Sequence, residues 1–330
     1  MGRHGAWMAV TPPLARLLGT IDPLVRLLLL AILLATVLPV TGQGRAVAQF
    51  ISNAAVFLLF LLNGLRLPRA EVRRGLGNAR FLLPLALWCF ALMGLAGWGL
   101  SLVGREVLPV QVALGLLFLG VLPSTVQSAT AYSSLGGGNV AASVVAAAVI
   151  NVLGVFISAP LFSLLAGSAS APFDISALER IALILLLPFA LGQLAQDAAG
   201  HLVREHRQAA TWMDRTSIAI AVYVAFSGAV EQGLWQKVDL PAWAALLALV
   251  ALFLVIGFGG AWLLGGALRL SRPDRIAFLF AGGQKSIALG APLASVLFPP
   301  AVAGLLLLPV LTYHLLQLVL SAPLAARLKG

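Results

Sequence analysis

The sequence predicts an all-α polytopic membrane protein: ten transmembrane helices in two inverted five-helix repeats, with the fourth and ninth helices discontinuous. Three observations predict it. Of 330 residues, 61% are apolar and only 10% are charged, where a soluble domain carries roughly a quarter. Apolar runs of about 20 residues, the length that crosses a bilayer core, recur along the whole chain. The basic residues fall mainly in every second loop.

Ten spans follow in order. The first five are Leu24–Val40, Val47–Leu65, Phe81–Val103, Pro109–Leu135 and Asn139–Ala166. The second five are Leu178–Ala198, Trp212–Gln232, Leu240–Leu268, Arg275–Phe298 and Pro300–Ala325. With the N-terminus cytoplasmic, sixteen of the twenty-one basic residues lie inside. Only Arg45, Arg105, Arg180 and Lys237 lie outside, and Lys285 lies within a span. This asymmetry follows the positive-inside rule and places both termini in the cytoplasm of a plasma (inner) membrane protein. The first span exceeds a signal-peptide core and is expected to remain in the chain. The segment Leu65–Arg80, with Leu67, Val72 and Leu76 among its arginines, is expected to lie along the interface.

Composition excludes several classes. The net charge of +10 sits in short loops rather than in a basic face interleaved with aromatics, so no nucleic-acid partner is expected. Cys89 stands alone, which leaves neither an internal disulfide nor a cysteine-rich metal site. The segments lack the alternation of an outer-membrane barrel. An intramembrane hydrolase would need a recognisable nucleophile arrangement around His314, and a prenyl-transfer enzyme would need acid-rich turns. Neither is present, and an enzyme is not expected.

Five spans per half invert the second half relative to the first, the plan of many secondary transporters. Both halves are interrupted in their fourth span. The first reads Leu122-Pro123-Ser124-Thr125-Val126-Gln127-Ser128-Ala129-Thr130, and seven of the twelve residues from Ser124 to Leu135 are Ser, Thr or Gln. Such a stretch must face protein or water. The second reads Gly282-Gly283-Gln284-Lys285-Ser286. Gly257, Gly259 and Gly260 are expected to serve helix packing alone.

Lys285 lies about ten residues from either end of its span, too far to snorkel comfortably. All eleven acids lie in loops or at span ends. Lys285 is therefore neutral at rest, held by carbonyls, hydroxyls and amides, or paired with an anionic substrate. The helix N-termini at the breaks would favour that anion. The candidate binding residues are Ser124, Gln127, Ser128, Thr130, Asn139, Ser143, Gln284, Lys285, Ser286 and His314, with Asn151, Thr312 and Gln317 nearby. His314 also reads as a hydrogen-bonded core histidine.

The runs LPSTVQSATAYSSLGGGNVAAS, LFAGGQKSIALGAPLASVLF and FLLNGLRLPRAEVRRGLGNARF resemble the bile acid:sodium symporter superfamily, and within it the SBF-like branch. The resemblance covers nearly the whole chain. It implies one transmembrane unit over residues 1–330. A panel of helices at about 24–65 and 178–232 would face a core at about 81–166 and 240–325. The two broken helices would cross at their unwound centres. It also implies sodium sites, yet Phe280 stands where sodium-coupled members have glutamate, Cys89 where they have glutamine, and Ala129-Thr130 where they have Ser-Asn. Ala147 replaces a threonine and Lys285 an asparagine, while Ser143 and Gln284 match. Most side-chain ligands for Na+ are thus absent, and the expectation is that the Lys285 ammonium occupies the space of a lost sodium ion.

The expected function is a secondary transporter or facilitator for an amphipathic organic anion, by alternating access and without a cofactor. Its partners would be the lipid bilayer and a small anionic solute, with no protein partner evident. The alternative is a regulator of ion traffic that transports nothing itself.

Overall fold

The computed structural model describes residues 22–66, 79–167, 179–180 and 182–329, and among these the regular elements are all helical. The expected interfacial segment after Leu65 lies almost wholly outside them. Besides a single helical turn at Leu234–Lys237, the helices in chain order are α1 (Pro23–Val37), α2 (Gly44–Arg66), α3 (Ala79–Gly104), α4 (Val110–Val121), α5 (Gln127–Leu135) and α6 (Val140–Ala166). Then come α7 (Ala182–Leu194), α8 (Gln196–Glu205), α9 (Arg207–Glu231), α10 (Leu240–Ala267), α11 (Arg272–Gly283), α12 (Ile287–Leu297) and α13 (Pro300–Lys329).

The starts are written in the sequence. Asp22, Asn139, Asp239, Ser271 and Ser286 each cap a helix by accepting a backbone N–H of the first turn, and Pro23, Pro241 and Pro273 occupy first-turn positions where no N–H is missed. The ends at the breaks are equally local. Leu122, held extended before Pro123 (φ −72°, ψ 147°), ends α4. Gly282-Gly283 and the extended Gln284 (φ −91°, ψ 146°) end α11.

Not all ten expected spans are single long apolar helices. Six helices are long and apolar enough to cross a membrane, and a seventh counts if α7 and α8 are taken together. The sixth expected span does not run straight, because α8 turns 96° away from α7. Its Asp197, His201, Arg204 and Glu205 suit a polar setting better than lipid. The first span shortens to the 15 residues of α1, and the fourth divides into an apolar α4 and a polar α5.

Packing brings the breaks together. α3 and α4 cross at Gly97 and Gly120, where an added Cβ would meet Leu116 O at 2.6 Å and Met93 O at 2.6 Å respectively. α4 meets α13 at Gly115, and α9 meets α13 at Gly228 and Gly304. Gly257, Gly260 and Gly282 pack closely on aromatic side chains around the second break, but Gly259 faces open space, so its expected packing role is not met. Ion pairs tie α2 to α9 at both ends, Arg45 to Glu231 and Arg66 to Asp214. The pair α11–α12 is the innermost element, with 94% of its apolar window buried.

Candidate functional site

Two interrupted helices leave backbone carbonyls without helical donors, and in a buried setting each must find another partner. Around the first break, Gly120 O and Leu122 O accept from Lys285 Nζ at 2.8 Å each. Val121 O accepts from the Ser158 hydroxyl at 2.8 Å. Pro123 O accepts from Ser286 N at 2.9 Å, and Ser124 O accepts from Asn151 Nδ2 at 2.8 Å. Five consecutive carbonyls are thus satisfied from α6 and from the other break.

The second break is satisfied from α3 and α13. Trp88 Nε1 donates to Gly282 O at 3.1 Å, and the Tyr313 hydroxyl donates to Gly283 O at 2.5 Å. Gln317 grips both backbone groups of Lys285, accepting its N–H at 2.8 Å and donating to its carbonyl at 3.0 Å. Those two bonds fix which end of the Gln317 amide is nitrogen. The same nitrogen contacts His314 Nδ1 at 2.9 Å, so Nδ1 is the acceptor and the ring proton sits on Nε2.

Lys285 reaches from the second break across the first. Its third hydrogen bond goes to Cys89 O of α3 at 2.9 Å. The side chain is 1% exposed. Of the three readings of this lysine, the geometry carries the one with carbonyl partners. Three oxygens match the three N–H bonds of an ammonium.

Beside it, Gln284 Oε1 accepts from Thr125 and Ser128 at 2.6 Å each, and Gln284 Nε2 donates to Ser321 Oγ at 3.0 Å. The Ser286 hydroxyl caps α12, accepting from Leu289 N at 3.2 Å. Gln284, Lys285, Ser286 and Ser128 therefore gather at one place with His314 close by. Ser124 is buried there and contributes mainly its carbonyl.

The other candidates fall differently. Gln127 is exposed at the start of α5 and has no hydrogen-bond partner among the described residues, with exposed Val126 beside it and exposed Ala288 on α12. Buried hydroxyl oxygens of Thr130 and Ser143 also lack partners. Asn139 caps α6 and donates to Asp274 Oδ1 at 2.8 Å, pinning the α5–α6 turn to the start of α11. Thr312 bonds to Leu308 O of its own helix. Phe280, at the glutamate position of the sodium-coupled pattern, is fully buried against Tyr132 and Phe258, with ring centroids 5.9 Å and 6.3 Å away. Among the described residues, no three His, Cys, Asp or Glu side chains come together to hold a metal ion.

Sequence reasoning missed Trp88, Thr125, Ser158, Tyr313 and Ser321 as partners of the breaks. It also missed the π-helical turn Leu87–Leu92 that carries Cys89. A lone polar residue in an apolar run could have flagged Ser158 and Ser321. Nothing local marks a π turn.

Long apolar helices, with one helix break donating to the backbone carbonyls of the other, are those of an integral membrane protein. The chain belongs to the SBF-like CPA transporter family, whose model matches residues 22–330. It is 37% identical over 304 residues to the protein PA2026 of Pseudomonas aeruginosa, covering 91% of this chain and 90% of that one. It is 34% identical over 321 residues to the Escherichia coli protein named "Putative symporter YfeH", covering 95% of each. It is also 24% identical over 293 residues to "Sodium/bile acid cotransporter 7" of Mus musculus, covering 85% of this chain and 83% of that one. These relatives are of a transporter family of the bile acid:sodium symporter type, and the chain is accordingly a transporter-family membrane protein and not an enzyme.

Proposed function

We propose that the chain is a secondary transporter of an amphipathic organic anion, working by alternating access and without sodium coupling. The observation that carries this reading is the electrostatics where the breaks meet. Two half-helices, α5 and α12, begin there with their positive dipole ends, and a lysine is buried between them. No carboxylate is within the breaks: the described acids lie in turns or within about two turns of a helix end. A positive field without a protein counter-charge favours a negative solute.

In this reading the protein has ten spans in two inverted repeats, α4–α5 and α11–α12 being the broken fourth and ninth. α1, α2 and α7–α9 form the panel, and α3–α6 with α10–α13 form the core. Both termini are cytoplasmic, in the plasma (inner) membrane. We read the conformation as inward-open. On the outer side, Gly228 and Gly304 let α9 and α13 meet backbone to backbone, with an added Cβ 2.4 Å from Pro300 and 2.5 Å from Ala225 O. On the cytoplasmic side, Val126, Gln127, Ala131, Ser134 and Leu135 leave one face of α5 exposed. That face, with Ala288, is where the solute would enter, and the free amide of Gln127 would meet its polar end. Lys285 contributes charge rather than contact, because its three donors are taken.

The relatives' name supplies the first probe. Purified protein in liposomes should take up taurocholate, or another amphipathic sulfonate or carboxylate from a panel, saturably. The rate should be unchanged when choline replaces sodium. Uptake that requires a sodium gradient overturns the coupling assignment. Absence of uptake for every anion tested overturns the transport assignment and favours the regulator.

A further inference from the structure

We propose that the meeting of the two breaks is a monovalent-cation site whose cation is built into the chain: the Lys285 ammonium fills a cage of main-chain oxygens that would otherwise need a bound ion. The cage oxygens belong to Cys89, Gly120 and Leu122, at 2.9, 2.8 and 2.8 Å from Nζ.

Each oxygen is free for a separate backbone reason. Cys89 lies in the π turn Leu87–Leu92, and a π turn leaves a carbonyl without its usual α-helical donor. Gly120 and Leu122 close α4, and the break removes the amides of residues 124 and 126 that would have bonded to them. The cage is held in place without Lys285. At the Gly97–Gly120 crossing an added Cβ on Gly120 would lie 2.6 Å from Met93 O and 3.1 Å from Gly97 Cα, so α3 and α4 run in backbone contact. That contact lets carbonyls of two helices converge on one point.

Three convergent carbonyl dipoles present their negative ends to one small volume. A water molecule has two donors and leaves one oxygen unmet, and a neutral amine does the same. An ammonium, or a bare alkali cation, satisfies all three. The side chain is buried and, among the described residues, makes no ion pair with a carboxylate, so the cage oxygens are its partners. A tethered cation cannot leave. The site therefore keeps its charge through a transport cycle, and the protein's stability should not respond to sodium. A single substitution should convert the site into one that does respond.

The test is thermal denaturation of the full-length purified protein in detergent, in choline, sodium, potassium or methylammonium chloride at equal ionic strength. Wild type should melt at the same temperature in all four. Lys285→Ala should lose on the order of 10 °C in choline and regain part of it in methylammonium or an alkali cation, with a dependence on concentration that saturates. Lys285→Met, which fills the volume without charge, should be destabilised and should gain nothing from any cation. If Lys285→Ala yields no folded protein in choline, recovery on purification in methylammonium or sodium is the readout. The proposal is overturned if Lys285→Ala melts like wild type in choline. It is equally overturned if no cation stabilises or recovers that variant, or if Lys285→Met melts like wild type. The readout is stability, so the proposal stands or falls separately from the uptake experiment.

Discussion

The break between α4 and α5 offers acceptors, and the break between α11 and α12 offers donors. At the first, the carbonyls of Gly120, Leu122 and Pro123 point to the second break and receive Lys285 Nζ twice and Ser286 N once. At the second, the free carbonyls of Gly282, Gly283 and Lys285 turn the other way, towards Trp88, Tyr313 and Gln317. The first break also has an open side at Val126 and Gln127, whereas Gln284, Lys285 and Ser286 are all buried. Two interruptions at matching places in the sequence thus have different duties. One is a rigid insert gripped from all sides, and the other is a surface resting on it.

The comparison can be broken most directly at Gln317, which alone serves both backbone groups of Lys285. Gln317→Leu leaves a buried N–H and a buried carbonyl unmet, at about 1–3 kcal/mol each. Apparent stability should fall by about 2–6 kcal/mol, and thermal denaturation in detergent should show it. Gln317→Glu should recover little, since a carboxylate cannot donate to Lys285 O. A wild-type melting temperature for Gln317→Leu would mean that the second break is not held as a rigid insert.

Next in size is the scaffold under the first break. A methyl at Gly120 would sit 2.6 Å from Met93 O, so Gly120→Ala must push α3 from α4. Overpacking of this kind costs about 1–3 kcal/mol. It should also pull Cys89 O away from Lys285, so Gly120→Ala combined with Lys285→Ala should cost less than the two changes added. A double-mutant cycle on melting temperature measures this, and strict additivity would separate the crossing from the cage.

Smaller again is the loss of a single donor at the second break. Trp88→Phe removes the bond to Gly282 O together with the outer ring atoms that pack on Gly260. The lost hydrogen bond by itself should cost about 1 kcal/mol or somewhat more, as a buried carbonyl loses its partner, and the lost packing adds to it. Tyr313→Phe removes the bond to Gly283 O in the same way. Effects well above this would make the aromatic donors, rather than Gln317, the main grip on α11–α12.

These contacts also show what the sequence could and could not reveal. Both breaks were legible, because Leu122-Pro123 and Gly282-Gly283 act through local sterics that need no tertiary information. Lys285 was legible as an anomaly, since a charge within a span needs a partner somewhere. The identity of that partner was not legible. Main-chain carbonyls carry no sequence signature, and the one from Cys89 depends on a π turn that its residues do not announce. Asn139 shows a second limit: the sequence places it near a break, and only the structure shows that it caps α6 and bonds to Asp274. The bend between α7 and α8 was missed because hydropathy was read past Leu194 into a helix with four charged or histidine positions.

The smallest effect on stability belongs to the open side of the first break, and it separates the two regions most sharply. The Gln127 side chain donates to nothing and accepts from nothing among the described residues, and it sits on the exposed face of α5. Gln127→Leu removes no hydrogen bond and fills no cavity, so the melting temperature should stay near wild type, as for other surface changes within about 0.5 kcal/mol. If that face meets the polar end of a solute, anion uptake in liposomes should fall several-fold in the same variant. Gln127→Asn, which keeps the amide on a shorter stem, should fall less. An unchanged uptake rate for Gln127→Leu would remove α5 from the transport path. A loss of stability equal to that of Gln317→Leu would mean that the first break is as tightly held as the second, and the division of duties between them would be gone.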